Sequence, residues 1–135
     1  MRKIATDCRL SCNNAILNNA ETTYGIAIRA EIKSFFKMNN GGYPIKDVII
    51  SDGTEYEVRA FLSLDKNDDN YCVERSLHFF LEKTRARIIP VAIDSGDNYY
   101  CVNNETGKVY FWRAGSDSYY LIANTVEAFT DLFRD

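Results

Sequence analysis

The chain has 135 residues, of which 46% are hydrophobic and 26% charged, and its formal net charge is −3. This length and composition predict one folded domain over residues 1–135 and exclude an intrinsically disordered chain. No apolar run approaches the roughly 20 residues that span a bilayer, and the N-terminus lacks the apolar core of a signal peptide. We therefore expect a cytoplasmic protein with no membrane association.

Charge is distributed unevenly along the chain. Residues 1–46 contain seven Lys/Arg and three Asp/Glu, a sum of +4, whereas residues 47–135 contain nine and sixteen, a sum of −7. The acidic C-terminal part argues against direct nucleic-acid binding there and suits attraction of a basic protein partner. A solvated acidic surface without a partner explains the same distribution, so charge alone does not decide between the two.

The N-terminal part predicts two helices followed by a short strand. Apolar residues recur at helical spacing over residues 16–24 and again over residues 28–36. Gly25 and the Asn-Asn-Gly-Gly segment 39–42 suit the ends of these helices, because Asn and Gly tolerate the left-handed conformation. Residues 48–50 predict a strand that ends in a Ser-Asp-Gly turn.

Residues 56–64 predict a single half-buried strand, because apolar and polar side chains alternate there with a period of two. Val58 and Ala60 belong to the set that would face the core. The polar and acidic residues 65–70 predict a loop, and helical spacing of the next apolar residues predicts a helix over residues 72–82.

The last third of the chain predicts strands and one final helix. Four strands are expected at Ile88–Ile93, Tyr99–Val102, Val109–Trp112 and Tyr119–Ile122. Asn124, with Glu127 three residues later, predicts the start of the helix. The complete order predicts an α+β fold, with a mainly antiparallel sheet of about five to six strands, N-terminal helices, an inserted helix and a C-terminal helix.

Aromatic side chains are concentrated on these predicted strands. We expect one face of the sheet to carry Tyr100, Val102, Tyr110 and Trp112, and the other to carry Tyr99, Cys101, Val109 and Phe111. Outward Tyr and Trp side chains suit protein interfaces, because they bury a large area with few torsions. Cross-strand packing without a partner explains the pattern equally well.

No catalytic, cofactor or metal site is predicted. His78 is the single histidine, and no base, orienting group and oxyanion donor can be assigned together with it. Cys8 and Cys12 have no second pair at zinc-ligand spacing, so reduced thiols are expected. An enzyme that uses Cys72 or Cys101 as a nucleophile is the remote alternative.

A weak calcium site is an alternative interpretation of the acidic loop. Asp65, Asp68 and Asp69 are close in sequence, but the central Gly and late Glu of an EF-hand are missing, so a solvated loop is favoured. Because loops protrude, these carboxylates are candidates for contact with a basic partner. The full set of predicted partner-binding residues is Asp65, Asp68, Asp69, Asp97, Tyr100, Tyr110, Trp112 and Asp117.

Two blocks of the sequence form a recognisable pattern. The first is a helix that ends in an Asn-Gly motif, Phe35-Phe36-Lys37-Met38-Asn39-Asn40-Gly41-Gly42-Tyr43-Pro44. The second is Ile89-Pro90-Val91-Ala92-Ile93-Asp94 with Gly96 and Asn98, continued by Gly107-Lys108-Val109-Tyr110 and the helix Ala123–Phe129. Together, over residues 12–134, these blocks resemble the SUKH superfamily of bacterial immunity proteins and fungal cell-wall regulators.

The chain departs from the superfamily pattern at three places. Ile28-Arg29 stands where a Leu-Pro commonly opens the second helix, and Asp97 splits a common Gly-Asn pair. Residues 65–84, with their predicted helix, form an insertion.

The resemblance implies a non-catalytic, protein-binding role. Bacterial members are often immunity proteins that bind a toxin, commonly a nuclease, and neutralise it inside the producing cell, whereas fungal members act as scaffolds. We therefore expect an immunity protein, a monomer or weak dimer, that occludes the active site of a basic nuclease toxin. A non-catalytic scaffold of the same fold is the alternative.

Overall fold

The computed structural model describes residues 1–6, 8, 12–65, 74–85 and 87–134. Within these residues the helices are α1 (Asn14–Tyr24), α2 (Ala30–Asn39), α3 (Glu74–Thr84) and α4 (Val126–Asp131). The strands are β1 (Ala5–Thr6), β2 (Tyr43–Pro44), β3 (Val48–Ser51), β4 (Thr54–Glu57), β5 (Ala60–Phe61), β6 (Ile88–Ile93), β7 (Tyr99–Asn103), β8 (Val109–Arg113) and β9 (Ser118–Ala123).

The strands confirm the predicted α+β class. β5 to β9 form an antiparallel central sheet in the order β5-β6-β7-β8-β9, while β1–β2 and β3–β4 form two small antiparallel sheets. β6 lies inside the central sheet, between β5 and β7, as its β-branched and apolar sequence predicts. β1 and β2 were not predicted, because two residues are too few to show a period.

The central sheet is covered on both faces. On one face Tyr100 packs against Phe129 of α4, with ring centroids 6.0 Å apart, and Phe35 of α2 contacts the same ring. On the other face Phe80 of α3 contacts Tyr99 and Trp112. Burial of each such side chain contributes about 1.5–3 kcal/mol, so the sheet is stabilised as a middle layer between helices.

The predicted division of aromatic side chains between the sheet faces is wrong. In the register of β7 and β8, Tyr100 lies opposite Phe111, and Cys101 lies opposite Tyr110. Tyr100 therefore shares its face with Phe111, whereas Tyr110 and Trp112 lie on the opposite face with Cys101. A period of two determines the faces within one strand, but the hairpin connection sets the register between strands.

The single strand predicted over residues 56–64 is divided between two sheets. β4 ends at Glu57, and the Arg59 amide already donates to the Ile93 carbonyl of the central sheet at 2.8 Å. β5 then pairs with β6. Residues 60–64 are all buried instead of alternating, because the chain is enclosed on both sides at this point.

The helix ends follow the predicted signals with one exception. Gly25 ends α1 with φ +65°, and its amide donates to the Glu21 carbonyl. α4 begins after Thr125 instead of Asn124, since the Thr125 hydroxyl accepts from the Ala128 amide at 3.0 Å. Asn and Thr side chains can both accept a hydrogen bond from a free backbone amide at a helix start. The sequence alone therefore does not decide whether Asn124 or Thr125 caps the helix. The predicted start of α3 at residues 72–73 lies outside the described residues.

Two buried asparagines at the end of α2 connect distant parts of the chain. Asn39 Oδ1 accepts from the Ile4 amide at 2.8 Å. Asn40 Oδ1 accepts from the Leu64 amide at 2.9 Å, and its Nδ2 donates to Ser63 Oγ at 3.0 Å. These bonds tie β1 and the segment after β5 to α2, so the Asn-Asn-Gly motif is a structural junction.

Replacing Asn40 with alanine removes both bonds and leaves the buried Leu64 amide without its partner. Because such a group costs about 1–3 kcal/mol, we expect Asn40→Ala to lower the free energy of unfolding by about that amount. Urea unfolding followed by circular dichroism measures the loss. Asn18→Ala, at an exposed position of α1, is the control and should change stability by less than about 0.5 kcal/mol. An equal loss in both variants would contradict the role assigned to Asn40.

Candidate partner-binding surface

Trp112 and the turn after β8 are joined to α3 by one polar network. The Trp112 indole Nε1 donates to Asp117 Oδ1 at 2.8 Å, and Asp117 also pairs with the Lys83 ammonium. Lys83 lies over the rings of Phe79 and Trp112, 5.4 and 5.8 Å from their centroids. We name these four residues, Phe79, Lys83, Trp112 and Asp117, the α3 aromatic patch.

Phe79 is the exposed aromatic side chain of this patch. Its side chain is 46% exposed, whereas Trp112 is 7% exposed, and the two ring centroids lie 5.4 Å apart. An exposed ring that rests on a buried aromatic group is typical of interface anchors. Phe79 is not among the predicted partner-binding residues because it lies next to the apolar stripe of the helix. A large aromatic residue off the buried stripe is the signal that would have found it.

A groove of about 450 Å³ runs beside the patch, between the end of α3 and the strands β8 and β9. It is lined by Lys83, Thr84, Arg87, Ile88, Asn103, Glu105, Tyr110 and Tyr119. Tyr110 and Tyr119 meet edge to face, with centroids 6.2 Å apart. Burial raises the pKa of Tyr119 to about 12, so its hydroxyl stays protonated at neutral pH.

Carboxylates gather at one end of the central sheet, where two turns meet. The Ala114 amide of the β8–β9 turn donates to Asn98 Oδ1 of the β6–β7 turn at 2.9 Å. We name this region the acidic end, and its carboxylates are Glu57, Asp94, Asp97 and Asp117. The exposed Arg59 and Arg113 lie at the same end of the sheet.

Asp94, the last residue of the Ile-Pro-Val-Ala-Ile-Asp block, builds the β6–β7 turn. Its Oδ1 accepts from the Gly96 and Asn98 amides at 2.9 and 2.8 Å, and its Oδ2 accepts from Asn98 Nδ2 at 3.0 Å. Asp97 between them is exposed and adopts φ +64°. Asp tolerates this left-handed conformation better than most residues, which explains how it can split the Gly-Asn pair.

The structure brings four of the predicted partner-binding residues near one another. Trp112 and Asp117 belong to the α3 aromatic patch, and Asp97 lies in the adjoining turn of the acidic end. Tyr110 is half-buried in the groove beside the patch. These positions form one side of the molecule, around α3 and the ends of β8 and β9.

The other predicted residues lie apart from this side. Tyr100 is fully buried, its hydroxyl donates to the Glu57 carbonyl at 2.6 Å, and burial raises its pKa, so it is a core residue. Asp65 follows β5 and lies near the end of α2, away from the acidic end. Asp68 and Asp69 lie outside the described residues.

Two of the three described thiols, those of Cys12 and Cys101, are poor nucleophiles. Cys8 is half-buried, Cys12 and Cys101 are buried, and none of the three is in a disulfide. Burial raises the pKa of Cys12 to about 11 and that of Cys101 well above the ordinary thiol value. Both thiols are therefore protonated at neutral pH. Cys72 lies outside the described residues.

His78 and the acidic side chains are further groups that could take part in a reaction. His78 is exposed and meets the Tyr24 ring edge to face, with centroids 5.7 Å apart. In the part of the chain that the structure describes, no three His, Cys, Asp or Glu side chains are grouped so that they could hold a metal ion. None of the helices described there is long and apolar enough to cross a bilayer.

The fold and this surface define an α+β domain whose sheet is enclosed by helices and whose α3 side presents an aromatic patch next to carboxylates. The SMI1/KNR4 family (SUKH-1) matches residues 11–132, and the chain belongs to this family. This confirms the resemblance that the two sequence blocks carry.

Two known proteins are similar to this chain. The chain is 24% identical over 139 residues to the SPbeta prophage-derived uncharacterized protein YokK of Bacillus subtilis (strain 168), covering 86% of this chain and 71% of that protein. A crystal structure of a protein from Pseudomonas syringae pv. tomato is similar with a TM-score of 0.58 and 16% identity, over 97% of this chain and 86% of that one. The second comparison shows that the two proteins share a fold.

The single tryptophan provides a direct probe of the α3 aromatic patch. The pKa of Asp117 is lowered, first by the hydrogen bond from Lys83 and then by the one from Trp112. We expect the indole ¹H–¹⁵N resonance to titrate with a midpoint below the ordinary Asp value of about 3.9. Lys83→Met should raise this midpoint, and Asp117→Asn should abolish the titration.

The same linkage predicts how stability depends on pH. Because the folded pKa of Asp117 lies below its unfolded value, its contribution is complete at neutral pH and is lost as the pH falls through the lowered pKa. The difference in Tm between the wild type and Asp117→Asn should therefore shrink below about pH 4. Asp97→Asn is the control and should leave the indole titration unchanged. A titration that persists in Asp117→Asn would contradict the assignment.

Proposed function

We propose that this protein is an immunity protein that binds a protein toxin and blocks it inside the producing cell. The observation that carries the proposal is membership of the SMI1/KNR4 family over residues 11–132, joined to the immunity role that the resemblance implies for bacterial members. The prophage-derived relative supports the bacterial branch of the superfamily over the fungal one.

The binding surface of this proposal is the α3 aromatic patch with the adjoining acidic end. Phe79 supplies an exposed ring that rests on buried aromatic side chains. Asp97 and Asp117 supply carboxylates at its margin. Tight protein complexes are commonly built in this way, with an aromatic centre that becomes desolvated and a charged rim that remains in water.

The toxin that this surface fits is a basic domain, and we infer a nuclease. A nuclease holds phosphates with cationic side chains, which complement the carboxylates of the acidic end. Arg59, Arg113 and Lys83, which pairs with Asp117, reduce the negative charge of these four carboxylates but do not cancel it. The mechanism is occlusion: the immunity protein covers the active site or substrate groove, and no bond is made or broken. The complex requires no cofactor and forms in the cytoplasm, where the toxin would act.

Neutralisation of a neighbouring toxin tests the function. The genome beside this gene is searched for a toxin gene; the toxin domain it encodes is purified, and its activity on DNA and RNA is measured with increasing amounts of this protein. We expect complete inhibition at stoichiometric amounts, since immunity complexes must outlast encounters with substrate. Full toxin activity with excess protein would overturn the proposal. Co-purification of cell-envelope proteins from the native host, with no toxin, would favour the scaffold alternative.

Two substitutions test the surface separately from the function. Phe79→Ala should weaken the complex at least about tenfold, mainly through faster dissociation, because it removes a central aromatic anchor. Asp97→Lys should slow association and reduce its salt dependence, because rim charges steer encounter. Surface-immobilised binding at two ionic strengths measures both rates.

Ile45→Ala is the matched control for Phe79→Ala. Ile45 is 57% exposed and lies beside β1, where its amide donates to the Ile4 carbonyl, away from α3. Its replacement should leave both rates unchanged. If Phe79→Ala and Asp97→Lys bind as the wild type while the toxin is still neutralised, the binding surface lies elsewhere and the immunity function stands.

A further inference from the structure

β9 forms one edge of the central sheet and pairs with β8 on one side. No other strand of the described residues pairs with its second side. Edge strands usually avoid pairing with another chain by means of a lysine, a proline or an inward-pointing charge. β9 has the sequence Ser-Tyr-Tyr-Leu-Ile-Ala, which contains neither a charged residue nor a proline.

The opposite edge of the sheet is protected. β5 has only two residues, and short edge strands offer little backbone for pairing. The Phe61 amide also donates to the Gly42 carbonyl at 2.9 Å, so the segment before β2 covers this edge. The contrast singles out β9, six residues long, as the less protected edge of the sheet.

The middle of β9 is apolar and exposed on both faces of the sheet. Tyr120 is 44% exposed and Leu121 is 49% exposed, and successive residues of a strand lie on opposite faces. The Ser51 hydroxyl donates to the Ile122 carbonyl at 2.7 Å, which anchors the β3–β4 hairpin near the end of the strand. The exposed apolar pair lies just before this anchor.

We propose that β9 pairs antiparallel with β9 of a second copy of this chain, across a two-fold axis, to form one continuous sheet. An axis normal to the sheet places one residue opposite itself. With the axis at Tyr120, Asp117 lies opposite Ala123 of the second copy, and with the axis at Leu121 it lies opposite Thr125. In both registers no like charges face each other, so the neutral strand is compatible with its own copy.

A second copy fits this strand better than a charged partner does. The toxin inferred above is basic and would seek carboxylates, which β9 lacks. Two identical neutral strands instead contribute Tyr and Leu side chains to each other, and aromatic and aliphatic cross-strand pairs are favourable. The dimer is centred on Tyr120 and Leu121, outside the α3 aromatic patch, and it reaches the patch only at Asp117. It goes beyond the proposed function.

The size of the contact determines how tight the dimer is. A stable complex buries about 1,200–2,000 Å² in total, and pairing through one six-residue strand on each copy buries less. We therefore expect a dimer that forms at micromolar concentrations or above and dissociates on dilution.

Sedimentation velocity from about 5 µM to about 500 µM tests the dimer, since this range brackets a micromolar dissociation constant. The wild type should shift from monomer toward dimer across it. Leu121→Lys should remain monomeric, because two like charges then lie opposite or diagonal to each other. Ile45→Lys, equally a replacement of an exposed aliphatic residue, is the control and should dimerise as the wild type does.

Charge complementation distinguishes lost pairing from lost folding. A mixture of Leu121→Lys with Leu121→Glu should recover the dimer as a heterodimer, because opposite charges then meet. Amide hydrogen exchange of the unmodified protein gives a second measurement: residues 118–123 should exchange more slowly at high than at low concentration. A wild type that stays monomeric throughout, or a dimer that Leu121→Lys leaves intact, would overturn the inference. Neither result bears on the toxin, because none is present.

Discussion

Burial of the central sheet on both faces is the constraint on which the rest of the structure depends. The second face buries Phe80, Ile88, Cys101 and Trp112 as a cluster of its own, separate from the main core. Without α3 the sheet members of this cluster, Ile88, Cys101 and Trp112, would meet water, at about 1.5–3 kcal/mol for each large one, against a total stability of about 5–15 kcal/mol for a typical domain. α3 is therefore required by this sheet. The same helix exposes Phe79, so α3 both covers the core and contributes to the candidate partner-binding surface.

Asparagine side chains make two of the junctions between the helices and the rest of the described chain. Asn40 joins the end of α2 to the segment after β5. Asn104 has a similar role at the other end of α2, where its Oδ1 accepts from the Arg29 amide at 2.9 Å and its Nδ2 donates to the Ala27 carbonyl at 2.9 Å. A proline at position 29, which the resemblance leads us to expect, would have no N–H to donate to Asn104. Each amide supplies both a donor and an acceptor, which lets one side chain satisfy two strands or loops at once.

The type and order of the main elements followed from the sequence, because periodicity is a property of each segment by itself. The pairing and register of the segments did not follow from the sequence. The β7–β8 register, which places Tyr100 in the core, depends on the hairpin connection. The division of residues 56–64 depends on where β6 offers a partner to Arg59. The candidate surface was partly predicted: Trp112, Asp117 and Asp97 lie in it, whereas Phe79 was missed because exposure off a helical stripe is decided by tertiary packing.

The hydrogen bond between the Leu62 amide and the Val91 carbonyl, at 2.9 Å, closes the connection between β5 and β6 at its base. The sheet therefore fixes both ends of the segment between β5 and β6, and it does so independently of the residues in that segment. A lineage of such proteins can therefore exchange the outward side chains of α3 while its inward side chains keep the sheet covered. Recognition and stability are then encoded by different positions of one helix, and a change of partner need not pass through an unfolded ancestor.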